Sequence, residues 1–110
     1  MIRHIVILHF DKKYDQDCFS LLEKTRPFLE GMPGLINFKV FSNNSKYVPE
    51  NIDSVGIEIM FKDEKALEQF MLNPKHYEAN AIFEKFLAKP PYMVLTHEQK
   101  EEEYIYHHTG

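Results

Sequence analysis

The chain has no tryptophan, a single cysteine, no surplus of positive charge and no long uninterrupted apolar run. Each shortage removes a class of protein. One cysteine, Cys18, cannot close an internal disulfide, so a disulfide-stapled secreted scaffold is ruled out. Its place on an expected helix makes Cys18 a structural thiol. Thirteen Lys and Arg against seventeen Asp and Glu give a net charge of -4 and a pI near 5.8. That balance lacks the clustered cations that phosphate binding needs, so no nucleic-acid partner is expected. No segment approaches the ~20 apolar residues that span a bilayer. The apolar opening from Met1 to Phe10 is broken by Arg3, His4 and His9 and has no small-residue cleavage site. No membrane partner is expected, and a reducing, cytoplasmic location follows.

What is present is ordinary globular material. Hydrophobic residues make up 44% and charged residues 27%, which argues against disorder. At 110 residues the chain suits one compact domain. A domain of this size buries a modest share of its surface, so nine Phe and six Tyr leave room for stabilisation by a second copy.

Hydrophobic periodicity organises the chain. Ile2 to Phe10 alternates, with His4, Val6, Leu8 and Phe10 on one face and Arg3, Ile5, Ile7 and His9 on the other, both apolar in the middle. This predicts an interior strand covered on both sides. Asp15 or Asp17 can then cap a helix running to about Glu30, with Phe19, Leu22, Thr25, Phe28 and Leu29 inward and a kink at Pro27. Gly31 to Gly34 turns the chain. Leu35 to Ser42 is the second strand, with Ile36, Phe38 and Val40 on one side, and Asn43 to Asn51 is a surface loop.

Asp53 to Phe61 is the third strand, with Val55, Ile57, Ile59 and Phe61 on one face. Gly56 within it implies close approach of a neighbour. Asp63 can cap a helix over Glu64 to Leu72, and Asn73 caps another that begins at Pro74 and runs to about Leu87. Ala88 to Pro91 stops it, and Tyr92 to His97 is a fourth strand. The domain is placed at residues 1–97. Residues 98–110 form a tail in which the aromatic Tyr104, Ile105 and Tyr106 suggest docking and His107-His108 is a weak metal or tag signal.

The order of elements is an α+β, ferredoxin-like βαββααβ plan with helices on one face of an antiparallel sheet. The other face also carries apolar residues. Face-to-face pairing of two subunits through that open sheet face, giving a homodimeric α/β barrel, is the simplest way to cover it.

Four stretches carry a resemblance. The opening Ile2 to Val6, the Met32-Pro33-Gly34 turn, the Phe61 to Leu67 step from strand to helix and the Asn73-Pro74-Lys75-His76 join resemble the stress-responsive dimeric α/β-barrel (Dabb) family from Ile2 to about His97. The resemblance implies a homodimeric barrel with a cavity in each half. Its enzymatic branch, the plant polyketide cyclases, implies a metal-free and cofactor-free aldol-type ring closure. By that likeness, His4 matches a first-strand histidine and His76 the last histidine of a His-Pro-x-His motif, whose first histidine is Asn73 here. Phe70 stands where the branch has a tyrosine, and Val55 where it has a cavity histidine. Those two departures remove a phenolic hydroxyl and an imidazole.

A neutral imidazole suits proton abstraction beside a carbonyl, so His76 and His4 are the candidate catalytic residues. Val6, Leu8, Val55, Phe70 and Phe83 are the candidate apolar lining for a small-molecule ligand. Three functions follow: a small-molecule-binding barrel, a cofactor-free lyase, isomerase or cyclase with His76 as base, or a structural stress-response oligomer. A metal set of His4, His76 and Glu58 is conceivable from ligand chemistry, but no short-range ligand motif supports it, and no metal or cofactor is expected.

Overall fold

In the computed structural model, the structure describes residues 1–98, with side chains described for residues 1–88. Strands β1 (Ile2–Asp11), β2 (Leu35–Ser42), β3 (Ile52–Phe61) and β4 (Leu87–Glu98) form one antiparallel sheet in the order β2-β3-β1-β4. Between β1 and β2 run α1 (Cys18–Glu23) and α2 (Arg26–Leu29), and between β3 and β4 run α3 (Glu64–Leu72) and α4 (Pro74–Phe83). This is the ferredoxin-like α+β architecture that the sequence implies. The expected tail residues Tyr104 to His108 lie outside the described residues.

Alternation along the central strands separates two faces. His4, Leu8 and Phe10 of β1 and Val55, Ile57, Ile59 and Phe61 of β3 are buried. The register sets His4 opposite Ile59, Val6 opposite Ile57 and Leu8 opposite Val55, so these side chains share the helix-covered face. They pack with Leu21, Leu22 and Leu29 below one helix pair and Phe70, Ala79 and Phe83 below the other. The Phe10 and Phe83 rings meet edge to face at 6.1 Å, a geometry that aromatic quadrupoles favour.

The other face remains partly open. Ile5, Ile7, Phe41 and Met60 are half-buried there, and Arg3 donates to Glu58 at 2.7 Å. Gly56 sits opposite both Ile7 and Phe41. A Cβ at this position would run into the Phe41 ring, which is the close approach that a glycine in mid-strand implies.

The helix ends follow their caps. Asp63 accepts from the Ala66 N–H at 2.9 Å and Asn73 from the Lys75 N–H at 2.9 Å, while Asp17 caps α1 through Ser20. Asn73 also closes α3, its own N–H donating to the Phe70 carbonyl. Gly34, at φ 80°, presents its carbonyl to the Lys62 N–H at 2.7 Å and leaves no room for a Cβ beside Ala66. The turn before β2 is thereby locked to the step between β3 and α3.

Four expectations need correction. The first helix is two, because Pro27 has no N–H for the Glu23 carbonyl. Buried Thr25 occupies the break, its hydroxyl donating to the Leu22 carbonyl at 2.6 Å. Phe19 faces outward at 41% exposure, and Cys18 and Leu21 take the inward positions with Leu22. Ile36 is 55% exposed rather than aligned with Phe38 and Val40, since the register of β2 on β3 shifts between Leu35 and Asn37 and a bulge turns side chains over. Finally, α4 stops at Phe83, a 3-10 turn covers Glu84–Phe86, and β4 starts at Leu87 and runs through Pro90 and Pro91. An edge strand tolerates prolines, and the pairing with β1 is irregular there, between Leu8 and Phe10.

Candidate functional site

His4 lies on the central strand β1, faces the helices and is only 5% exposed. Its ring meets Phe61 edge to face at 6.4 Å. Phe61 in turn contacts Phe70 at 5.1 Å, and Phe70 contacts His76 at 4.7 Å. A row of rings therefore runs from the sheet across α3 to the start of α4.

The local sequence fixes the far end of that row. Asn73 caps α4, Pro74 takes its first position, and the His76 N–H donates to the Asn73 carbonyl at 3.0 Å. The His76 ring is held between Phe70 and Tyr77, the latter at 5.3 Å. Its Nδ1 is buried and has no hydrogen-bond partner among the described residues. Leaving such an atom unsatisfied costs roughly 1–3 kcal/mol, so a buried acceptor or donor of this kind is an invitation to a ligand.

A cavity of about 240 Å³ lies between helices and sheet, and both histidines line it. Val6, Leu8, Phe70 and Phe83 contribute apolar wall, together with Leu29, Ile57, Ile59, Met71 and Leu87. Burial holds His4 below its ordinary pKa of 6.5, and the neighbouring His76 pushes it the same way. Burial also lowers His76, with the Met71 backbone carbonyl acting in the opposite direction. Desolvation penalises the charged ring, so both imidazoles are neutral at pH 7 and able to accept a proton.

Val55 is the exception among the expected lining residues. It faces the same side as Leu8, but it lies two residues, ~6.7 Å, along β3 from Ile57, where the sheet passes beside α1. It lines a different cavity, of about 300 Å³, with Gln16, Asp17, Cys18, Asn43 and Asp53. There burial, followed by the charges of Asp53 and Asp17, pushes the Cys18 thiol up to about 11, which leaves it protonated and unreactive. Glu58 is likewise apart from the histidines, on the open face with Arg3. No group of three or more metal-type ligands occurs among the described residues.

Two polar residues of the cavity were not anticipated. Asn80 and Glu84 line it as well, one and two helical turns beyond His76. Their spacing of four was legible in the sequence. It was hidden because the expected stripe followed only the apolar residues of that helix.

The model of the stress responsive A/B barrel domain, Dabb, matches residues 2–100. The chain belongs to this family. Solved structures share its fold at low identity. A dimeric ferredoxin-like protein of unknown function from Thermobifida fusca is similar at 19% identity, with a TM-score of 0.67 over 89% of this chain and 90% of that one. Its counterpart from Jannaschia sp. CCS1 matches at 16% identity and a TM-score of 0.65, over 90% and 100%. A proposed antibiotic biosynthesis monooxygenase from Deinococcus radiodurans matches at 13% identity and a TM-score of 0.69, over 92% and 94%. Among curated proteins, none matches. In this Dabb chain, no helix among the described residues is long and apolar enough to cross a membrane.

Proposed function

We propose that this Dabb chain binds a small, largely apolar molecule in the cavity between its helices and sheet, with His4 and His76 as polar contacts. The observation that carries this is the buried, unpartnered Nδ1 of His76 at the wall of a cavity that is otherwise mainly apolar. Few polar groups in an apolar enclosure are the usual make-up of a small-ligand site. The test is a calorimetric screen of phenols and β-diketones against the wild type and His76→Ala. Binding that weakens at least tenfold in the variant supports the assignment, and equal binding by both proteins refutes the role of His76.

The chain acts as a homodimer paired through the open sheet face. Half-buried Ile5, Ile7 and Met60 on that face support it, as does the dimeric description of two structural neighbours. Sedimentation at twice the 13.1 kDa chain mass is the expected result, and a monomer at micromolar concentration would contradict it. A buried free thiol is consistent with a cytoplasmic setting.

A second reading, cofactor-free proton abstraction, is favoured by the neutral state of both imidazoles. His76 would take a proton from carbon beside a carbonyl, leaving an enolate that can close on a second carbonyl. General-base catalysis of this kind is worth about 10²- to 10⁴-fold. Deuterium uptake by a β-diketone, followed by NMR, should drop on His76→Ala; an unchanged rate would remove the enzymatic option.

A further inference from the structure

His76, Asn80 and Glu84 stand at four-residue intervals along α4 and the turn that follows it, and all three line the same cavity. Residues four apart share a helix face. Beyond the His76 Nδ1, neither the Asn80 amide nor the Glu84 carboxylate has a side-chain hydrogen bond or ion pair among the described residues. The neighbouring cation is turned away, since the Lys85 ammonium sits over the Phe86 ring at 5.2 Å. No Lys or Arg is among the lining residues described. Apart from His4, the sheet side of the cavity is therefore apolar, and a polar line on α4 ends in an exposed carboxylate.

We infer that the ligand of this cavity is a one-ring molecule with a hydroxyl at the His76 end and a cationic amine at the Glu84 end, Glu84 being the residue that selects for charge. This rests on the proposed ligand-binding role of the cavity and narrows it to a chemical class. Eight residues of helix span ~12 Å, and a hydrogen bond of ~2.8 Å at either end leaves polar atoms roughly 6 Å apart or somewhat more. A phenol bearing a two-carbon arm with a terminal amine has about that reach. At about 240 Å³ the cavity falls just under the ~300–1,000 Å³ of sites for drug-sized ligands, in keeping with a single ring. The hydroxyl can donate to the neutral His76 Nδ1, Asn80 can serve the middle of the molecule, and the ammonium meets the carboxylate. A ligand carboxylate at the mouth would instead face Glu84 with like charge.

Tyramine, tyrosol and 3-(4-hydroxyphenyl)propionate share the phenol and differ in the terminal charge. Calorimetry on the intact chain should rank them in that order, with tyramine bound about three- to fivefold more tightly than tyrosol, the size expected of an exposed ion pair. High salt should shrink the gap. In Glu84→Gln, an exposed substitution with no packing to lose, the preference for tyramine should collapse to within about twofold. If the three bind alike, or if Glu84→Gln leaves the ranking intact, the charge selection is overturned while ligand binding in the cavity stands. If none of the three binds, the phenol-binding cavity itself is refuted, and the amine selection goes with it.

Discussion

Alanine at position 56 tests how the open sheet face is packed. A Cβ there runs into the Phe41 ring, which lies directly across from it on β2. Overpacking of this kind costs ~1–3 kcal/mol, while replacing glycine within a strand by alanine regains about 0.5–1 kcal/mol. Gly56→Ala should thus be destabilising by up to ~2 kcal/mol, and at roughly 4–8 °C per kcal/mol for a domain of this size the melting temperature should fall by up to about 8–16 °C. With Phe41→Ala in place the obstacle is gone, and the same glycine replacement should become stabilising. The coupling across the double-mutant cycle is then about 1–3 kcal/mol. Urea and thermal denaturation of the four proteins, at one chain concentration because association contributes to stability, give the cycle directly. If alanine at 56 has the same effect in both backgrounds, the ring does not rest on that glycine and the packing of this face is wrongly described.

Two other perturbations report on the turn and the site. Gly34→Ala forces a side chain into φ 80° and against Ala66, so a loss of at least ~2 kcal/mol in urea denaturation is expected, and a loss under ~0.5 kcal/mol would contradict the lock between turn and helix. Since burial depresses both His4 and His76, the unfolded chain takes up protons that the folded chain refuses. Their contribution is full above pH 6.5 and is lost progressively as the pH falls from there through the lowered pKa of each folded-state ring, at no more than ~1.4 kcal/mol per pH unit for each histidine. His76→Asn removes one such group and the like charge acting on His4, so melting temperature should fall less steeply with acid; an identical slope in both proteins would rule this linkage out.

The sequence carries most of the frame because its signals there are local. Asp63, Asn73 and Pro74 declare their helix starts, and a period of two marks three strands. What escaped depends on partners distant in sequence. Ile36 follows the alternation of its strand, yet a bulge against β3 exposes it. Pro90 and Pro91 read as a stop, and only an edge position lets a strand pass through them. The six-residue α1 is too short for its phase to be read, so Phe19 was assigned inward. At the site, the likeness of His4, Phe70 and His76 to a known cavity brought them into view, while Val55, transferred on the same basis, lies along β3 in another cavity. Asn80 and Glu84 were overlooked because polar residues on a helix read as a solvated face until a cavity is seen beneath them.

Asn73 belongs to two helices at once, ending α3 through its N–H and starting α4 through its side chain. With no linker between them, the two helices form a joint of one residue. Phe70 sits three positions before that pivot and His76 three after it, like the two jaws of a pair of tweezers. Any change in the angle between α3 and α4 must be absorbed by the backbone torsions at Asn73, and it widens or narrows the gap between these two rings. Two walls of the cavity, Phe70 and His76, are geared together, so a molecule that displaces one ring also re-aims the other.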